Sequence, residues 1–330
     1  SKQFLHFVHT KENLDTRTVD LSDMNKLSMH GEDGSSDKTA LPVENTEPLL
    51  RNRMQGPMRV AEVLVNAFSD PTKQRTPPSS RKTQHVRLIT IGISHFCEKV
   101  RWGLDLIESD PDSSLYYTED AHAPGLAAFS TTDASNNTVS ATPMVVYEKT
   151  GEEVVLVDSV VILQELCPFL YPARYKDDIL ALEENLGREL GSTVRCLCYH
   201  YLLDPDHFDL LSNLCTANTS KVESILFKKM LPHGLDKGMR KSMGINAESA
   251  KDSRDAILKI FAEISDRLYG KTYLFGDVFT AADLCFAALV SPFLLPPELA
   301  SMMGFHKLQD LPLGMRELYD QLIDTPAAQH

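Results

Sequence analysis

Within "ITIGISHFCEKVRW", residues 89–102, stand a serine, a histidine and a cysteine close enough to work together. Ile89 and Ile91 have the look of a strand end, and a helix-like run follows His95 at once. Ser94 therefore sits where a strand hands over to a helix. A hydroxyl there can cap the helix by accepting from a free backbone N–H. It can also donate its own proton to an anion, which the positive end of the helix dipole favours. Cys97, on the first turn, has three readings: a reactive thiol whose pKa the helix end lowers, half of a lost dithiol pair, or a packed small hydrophobe. Ser94 and Cys97 are the catalytic candidates.

Two further places offer polar groups at element ends. Thr142–Pro143 precedes the strand-like "MVVYE", either as a trans proline opening the strand or as a cis bond that context must hold. Asp158–Ser159 opens a helix, with Ser159 as the expected N-cap. In "RCLCYHYLL", Arg195, Tyr199 and His200 can line a substrate cleft together with His95, or simply pack between helices. Cys196 and His200 share a helix face, but two ligands make no zinc site, so no metal is expected.

These residues need elements to hold them. "VRLITIG" reads as a strand and "HFCEKVRWGLDLIE" as a helix with Phe96, Val100, Leu104 and Ile107 along one side. "SLYYTE" is a second strand. "ATPMVVYEKTGEEVVLVDS" gives two strands joined by a turn at Lys149 to Gly151. "VVILQELCPFL" is another helix, and beyond "YPARYK" the pattern is helical almost throughout. An α/β part followed by an all-helical part is thus expected, with one interface between them. Residues 1–85 form a polar extension and linker, with one amphipathic helix expected at 57–68. That helix either docks on the folded body or lies on a membrane surface, helped by Arg51, Arg53 and Arg59.

The motifs "SHFCEKVRW", "ATPMVV", "VDSVVIL" and "YLFGDVFTAADLCFAAL" together resemble the cytosolic glutathione S-transferase family, over about residues 86 to 325. The resemblance implies a thioredoxin-like domain at 86–171 and an all-helical domain at 172–330. It implies glutathione as co-substrate, a small electrophile or apolar ligand as partner, a homodimer and a cytoplasmic location. By the same resemblance Ser94 stabilises the glutathione thiolate, lowering its pKa from roughly 8.5 towards neutral. Thr142 beside a cis-Pro143 meets the cysteinyl backbone, and Asp158 with Ser159 binds the γ-glutamyl carboxylate. Cys97 matches the second cysteine of a glutaredoxin-like pair whose first is Ser94. Dithiol exchange needs that missing exposed thiol, which argues against a disulfide reductase and leaves redox or isomerase chemistry through Cys97 as a minor alternative. A non-catalytic binding or scaffold role is the other alternative. In "FTAADL", Thr280 is the expected cap, Asp283 reaches back, and Phe279 with Leu284 forms a staple.

Charge sets the remaining limits. The 330 residues carry a net charge of −13, which argues against a nucleic-acid binder. The longest strongly apolar stretch, around "LCFAALVSPFLLPP", is too short and too broken by proline to span a bilayer. All six cysteines lie beyond residue 96, scattered, and read as reduced thiols. Residues 103–148 hold eight Asp or Glu and no Lys or Arg. The glycyl carboxylate of glutathione would find only His122 there, expected mostly neutral at pH 7. Weak, millimolar binding that strengthens below about pH 6.5 is the expectation.

Overall fold

The computed structural model describes residues 82–136, 138–294 and 308–330. Residues 1–81, and with them the expected helix at 57–68, lie outside the described residues, while the first described strand starts at Gln84, inside the stretch expected to be linker.

Four strands form one mixed sheet in the order β2-β1-β3-β4. They are β1 (Gln84–Ile91), β2 (Leu115–His122), β3 (Met144–Lys149) and β4 (Glu152–Val157). β1 and β2 run parallel in a register that sets Ile91 beside His122. β3 runs antiparallel to both β1 and β4, with Met144 opposite Ile89 on one side and Val157 on the other. The β3–β4 turn has Thr150 at φ 54° and Gly151 at φ 83°, the handedness a two-residue hairpin needs to match strand twist.

This register decides where the chemistry goes. The ends of β1, β2 and β4 and the start of β3 all lie at one edge of the sheet. Helices α1 (His95–Ser109), α2 (Ala127–Ala134) and α3 (Ser159–Leu166) start beyond that edge. Ser94, Thr142 and Asp158 are therefore neighbours in space, although 64 residues separate the first from the last.

The helical part comprises α4 (Lys176–Leu186), α5 (Ser192–Leu202), α6 (Phe208–Cys215), α7 (Lys221–Met230), α8 (Leu235–Met243), α9 (Ala247–Leu268), α10 (Ala281–Leu294), α11 (Leu313–Leu322) and α12 (Pro326–Gln329). A single π turn, Gly187–Gly191, joins α4 to α5. α10 is apolar on nearly every side and buried on nearly every side, as a central helix must be. It packs on α1, α4 and α5 and so ties the sheet layer to the helices. α9 shows the one-faced pattern of a helix at the margin of a core, with Ile257, Ile260, Phe261, Ile264 and Leu268 buried. No helix among the described residues is long and apolar enough to cross a membrane.

Two expected caps differ in detail. Asp158, not Ser159, caps α3, its carboxylate accepting from Val160 N–H at 2.7 Å. The helix starts one residue earlier than the apolar run suggested. Asp283 does reach back to Thr280 N–H, at 2.8 Å, but the Thr280 hydroxyl donates to Asp283 instead of capping. Asp283 also accepts from Leu274 N–H at 2.7 Å, which fastens the preceding loop.

Candidate active site

Ser94 caps α1: its Oγ accepts from Cys97 N–H at 3.4 Å. A hydroxyl that accepts this way still has its proton to give. α1 is held at that end by Phe96, which lies against Gly191 in the π turn. A β-carbon on residue 191 would come within 2.6 Å of the Phe96 ring, so only glycine permits this contact. The sequence thus fixes the position of Ser94 through a partner almost a hundred residues away.

The Thr142–Pro143 peptide is cis, as expected from the motif. Pro143 C=O accepts from Asp158 N–H at 3.3 Å, which joins the second and third polar positions. Asp158 has φ 81° and ψ 134°, a conformation that costs energy for any residue but glycine and that collects at functional sites.

Between this edge and the helices lies a cavity of about 430 Å³. Ser94, His95 and Thr142 line its sheet side, and Arg195 and Tyr199 of α5 line its helical side. His200 is not among its lining residues; its ring stands edge-on to Tyr201, with centroids 5.1 Å apart. Asp158 and Ser159 lie beyond the cavity. Most of the wall is apolar. α8 supplies Leu235, Met239 and Met243, spaced four apart on one face, while Lys237 and Lys241 belong to its other faces. That i, i+4, i+8 pattern is visible in "LDKGMRKSM" and was the missed signal for a cavity wall. Left-handed glycines bound the helix, Gly234 at φ 112° and Gly244 at φ 66°.

The titratable groups divide by surroundings. Cys97 is fully buried, and burial raises its thiol pKa despite Arg101 and Ser94 nearby. That favours the packed reading over a reactive thiol. His95 is buried and held neutral: burial first, and then the Arg195 charge, lower its pKa to about 3. The Tyr199 phenol is pushed well up by burial, with Cys215 as its hydrogen-bonded neighbour.

His122 is placed quite differently from the expectation. It is buried at the end of β2, where Nδ1 meets Glu223 Oε1 of α7 at 2.9 Å and Nε2 lies 2.7 Å from Ser130 Oγ and 3.2 Å from Asp120. Glu223 also accepts from Ala123 N–H at 2.9 Å. Burial alone would lower the His122 pKa, but the bonds and charges of Asp120 and Glu223 outweigh it and raise it to about 9. The ring is therefore charged at neutral pH and already engaged. It fastens the sheet to the helices instead of facing a peptide carboxylate. Nothing near His122 in the sequence announces Glu223, which is 101 residues on.

Comparison with known proteins finds one family model and several distant structural similarities. Residues 224–311 match the family of glutathione S-transferase C-terminal domains. Similar solved structures include a glutathione S-transferase from Rhodospirillum rubrum F11, at 18% identity and a TM-score of 0.44, covering 74% of this chain and 90% of that one. Glutathione transferase F2 from Populus trichocarpa matches at 12% identity and a TM-score of 0.42, over 74% and 95% of the two chains. Maleylacetoacetate isomerase from Anaeromyxobacter dehalogenans, with glutathione bound in its active site, matches at 18% identity and a TM-score of 0.36, over 75% and 94%. A search of curated protein sequences finds no match. Residues 224–311 thus carry a glutathione S-transferase C-terminal domain, and a thioredoxin-like α/β layer precedes it in the chain.

Proposed function

We propose that the cleft joins the thiol of glutathione to a small electrophile, with residues 86–171 holding the tripeptide and residues 172–330 covering it. The observation that carries this is the Ser94 hydroxyl. It lines the cavity at a helix N-terminus, its lone pair is used by Cys97 N–H, and its proton remains available to a thiolate. Donation there stabilises the anion, so more of the thiol is ionised at neutral pH. The thiolate sulfur then forms a bond to the electrophilic carbon, and the leaving group departs with the electron pair of the bond that breaks. Thr142 beside its cis proline pairs, in this reading, with the extended backbone of the tripeptide. The N-terminus of α3, opened by strained Asp158 and by Ser159, is placed to take a carboxylate.

Steady-state conjugation of glutathione with 1-chloro-2,4-dinitrobenzene tests the reading. We expect turnover in the wild type, a large fall in Ser94→Ala and an unchanged rate in Cys97→Ser. No turnover together with no calorimetric glutathione signal would move the protein to the non-catalytic reading. One observation favours that second reading: His122 is spent on Glu223, so the acidic stretch 103–148 offers the glycyl carboxylate no cation.

A further inference from the structure

The charges around the cleft are unevenly spent. Arg101 is paired with Glu98 and Glu119, Lys99 with Glu183, and Arg87 with Asp120. Arg195 differs from these: it is exposed, has no ion pair or hydrogen bond among the described residues, and lines the cavity. Among the described lining residues it is also the single formal charge, and none is Asp or Glu. The surrounding wall is apolar, with Phe96, Val194, Leu235, Met239, Met243 and Met315 on it.

From this we infer that the cleft selects an apolar anion: an aromatic or aliphatic body ending in a carboxylate or sulfonate that Arg195 holds. The inference rests on the cleft being the ligand site and deepens that reading by naming the class of second ligand. Three physical points support it. A lone cation against low-dielectric walls focuses its field into the cavity and concentrates anions there. The planar guanidinium offers two parallel N–H groups to a carboxylate, a geometry that lysine lacks. The neighbouring His95 ring is neutral and leaves Nε2 without a partner, so it adds polarity without a second charge. A neutral ligand would cover the guanidinium and leave it with no partner, which costs affinity. A cavity of about 430 Å³ accommodates a small molecule of this class.

Calorimetric titration of the whole chain, without glutathione, with three matched probes tests it: 2-naphthoate, 2-naphthylmethanol and 2-naphthylmethylamine. We expect the acid to bind about tenfold tighter than the alcohol, and the amine weakest, on the scale of one charge-assisted contact. Arg195→Met should erase the acid's advantage by weakening the acid while the alcohol binds no more weakly than before, and Arg195→Lys should keep part of the advantage. Equal binding of acid and alcohol by the wild type overturns the inference, as does an advantage that survives Arg195→Met. Glutathione is titrated separately. If it fails to bind while the acid preference holds, the conjugation reading falls and this one stands. If Arg195→Met weakens glutathione but not the acid preference, Arg195 belongs to the tripeptide and this inference falls.

Discussion

Two regions of the same interface treat charge in opposite ways. At the seam where β2 meets α7, His122 and Glu223 form a buried pair that half-buried Asp120 completes, and elsewhere between the layers Lys99 meets Glu183 in a second buried pair at 2.6 Å. In the cleft the groups are left open: a hydroxyl with its proton to give, a neutral imidazole and an unpaired guanidinium. Buried charges whose partners are all protein hold the two layers in one arrangement. Groups whose partners are missing are those a ligand can complete. Perturbed titration occurs in both regions, so it does not by itself identify the working site.

Breaking the seam should give the largest effect. Glu223→Ala removes the partner of a buried cation and of Ala123 N–H, and should cost about 3–5 kcal/mol, the scale of one orphaned partner in a buried pair. Urea unfolding measures it. A loss below about 1 kcal/mol would show that water replaces the carboxylate and that the seam is not closed. Ser94→Ala is the matching change in the cleft. It should lower conjugation by about tenfold to a thousandfold, as for one donor to a developing anion. Its stability cost should stay near that of a lost helix cap, about 1 kcal/mol. An activity that follows the stability loss would erase the distinction between the two regions.

The seam should also respond to pH in a known sense. The folded pKa of His122, about 9, lies above its unfolded value of 6.5. Its contribution is therefore complete below about pH 6.5 and lost as pH rises through about 9. Urea midpoints taken between pH 6 and pH 9.5 should fall across that window, and His122→Gln should flatten the fall. A midpoint that rises with pH would reverse the assigned charge. Gly244→Ala, at the end of the helix that covers the cavity, should cost about 1 kcal/mol because φ 66° strains any β-carbon. Glutathione affinity gives the smallest effect. With His122 committed to the seam, a roughly millimolar constant should not change through pH 6.5. A tightening there would return the histidine to the cleft.

Much of the fold was legible because its signals are local. The strand-like runs at 86–91 and 144–157, the serine before "HFCEKVRW", and the Thr-Pro step each speak within a few residues, and the structure has strands, a capped helix and a cis bond at those places. The cap of α3 was misjudged by one residue because both Asp158 and Ser159 are good capping types, and only backbone geometry chooses between them. The common location of Ser94, Thr142 and Asp158 follows from sheet register, which the strand-like runs do not fix. The role of His122 was not legible at all. Its charge depends on a carboxylate 101 residues further along, and a pKa is set by what surrounds a group in space. The same holds for Arg195. The sequence by itself determined which residues could do chemistry; the tertiary structure decided which of their charges were already spent, because pairing is a property of distance and burial, not of order along the chain.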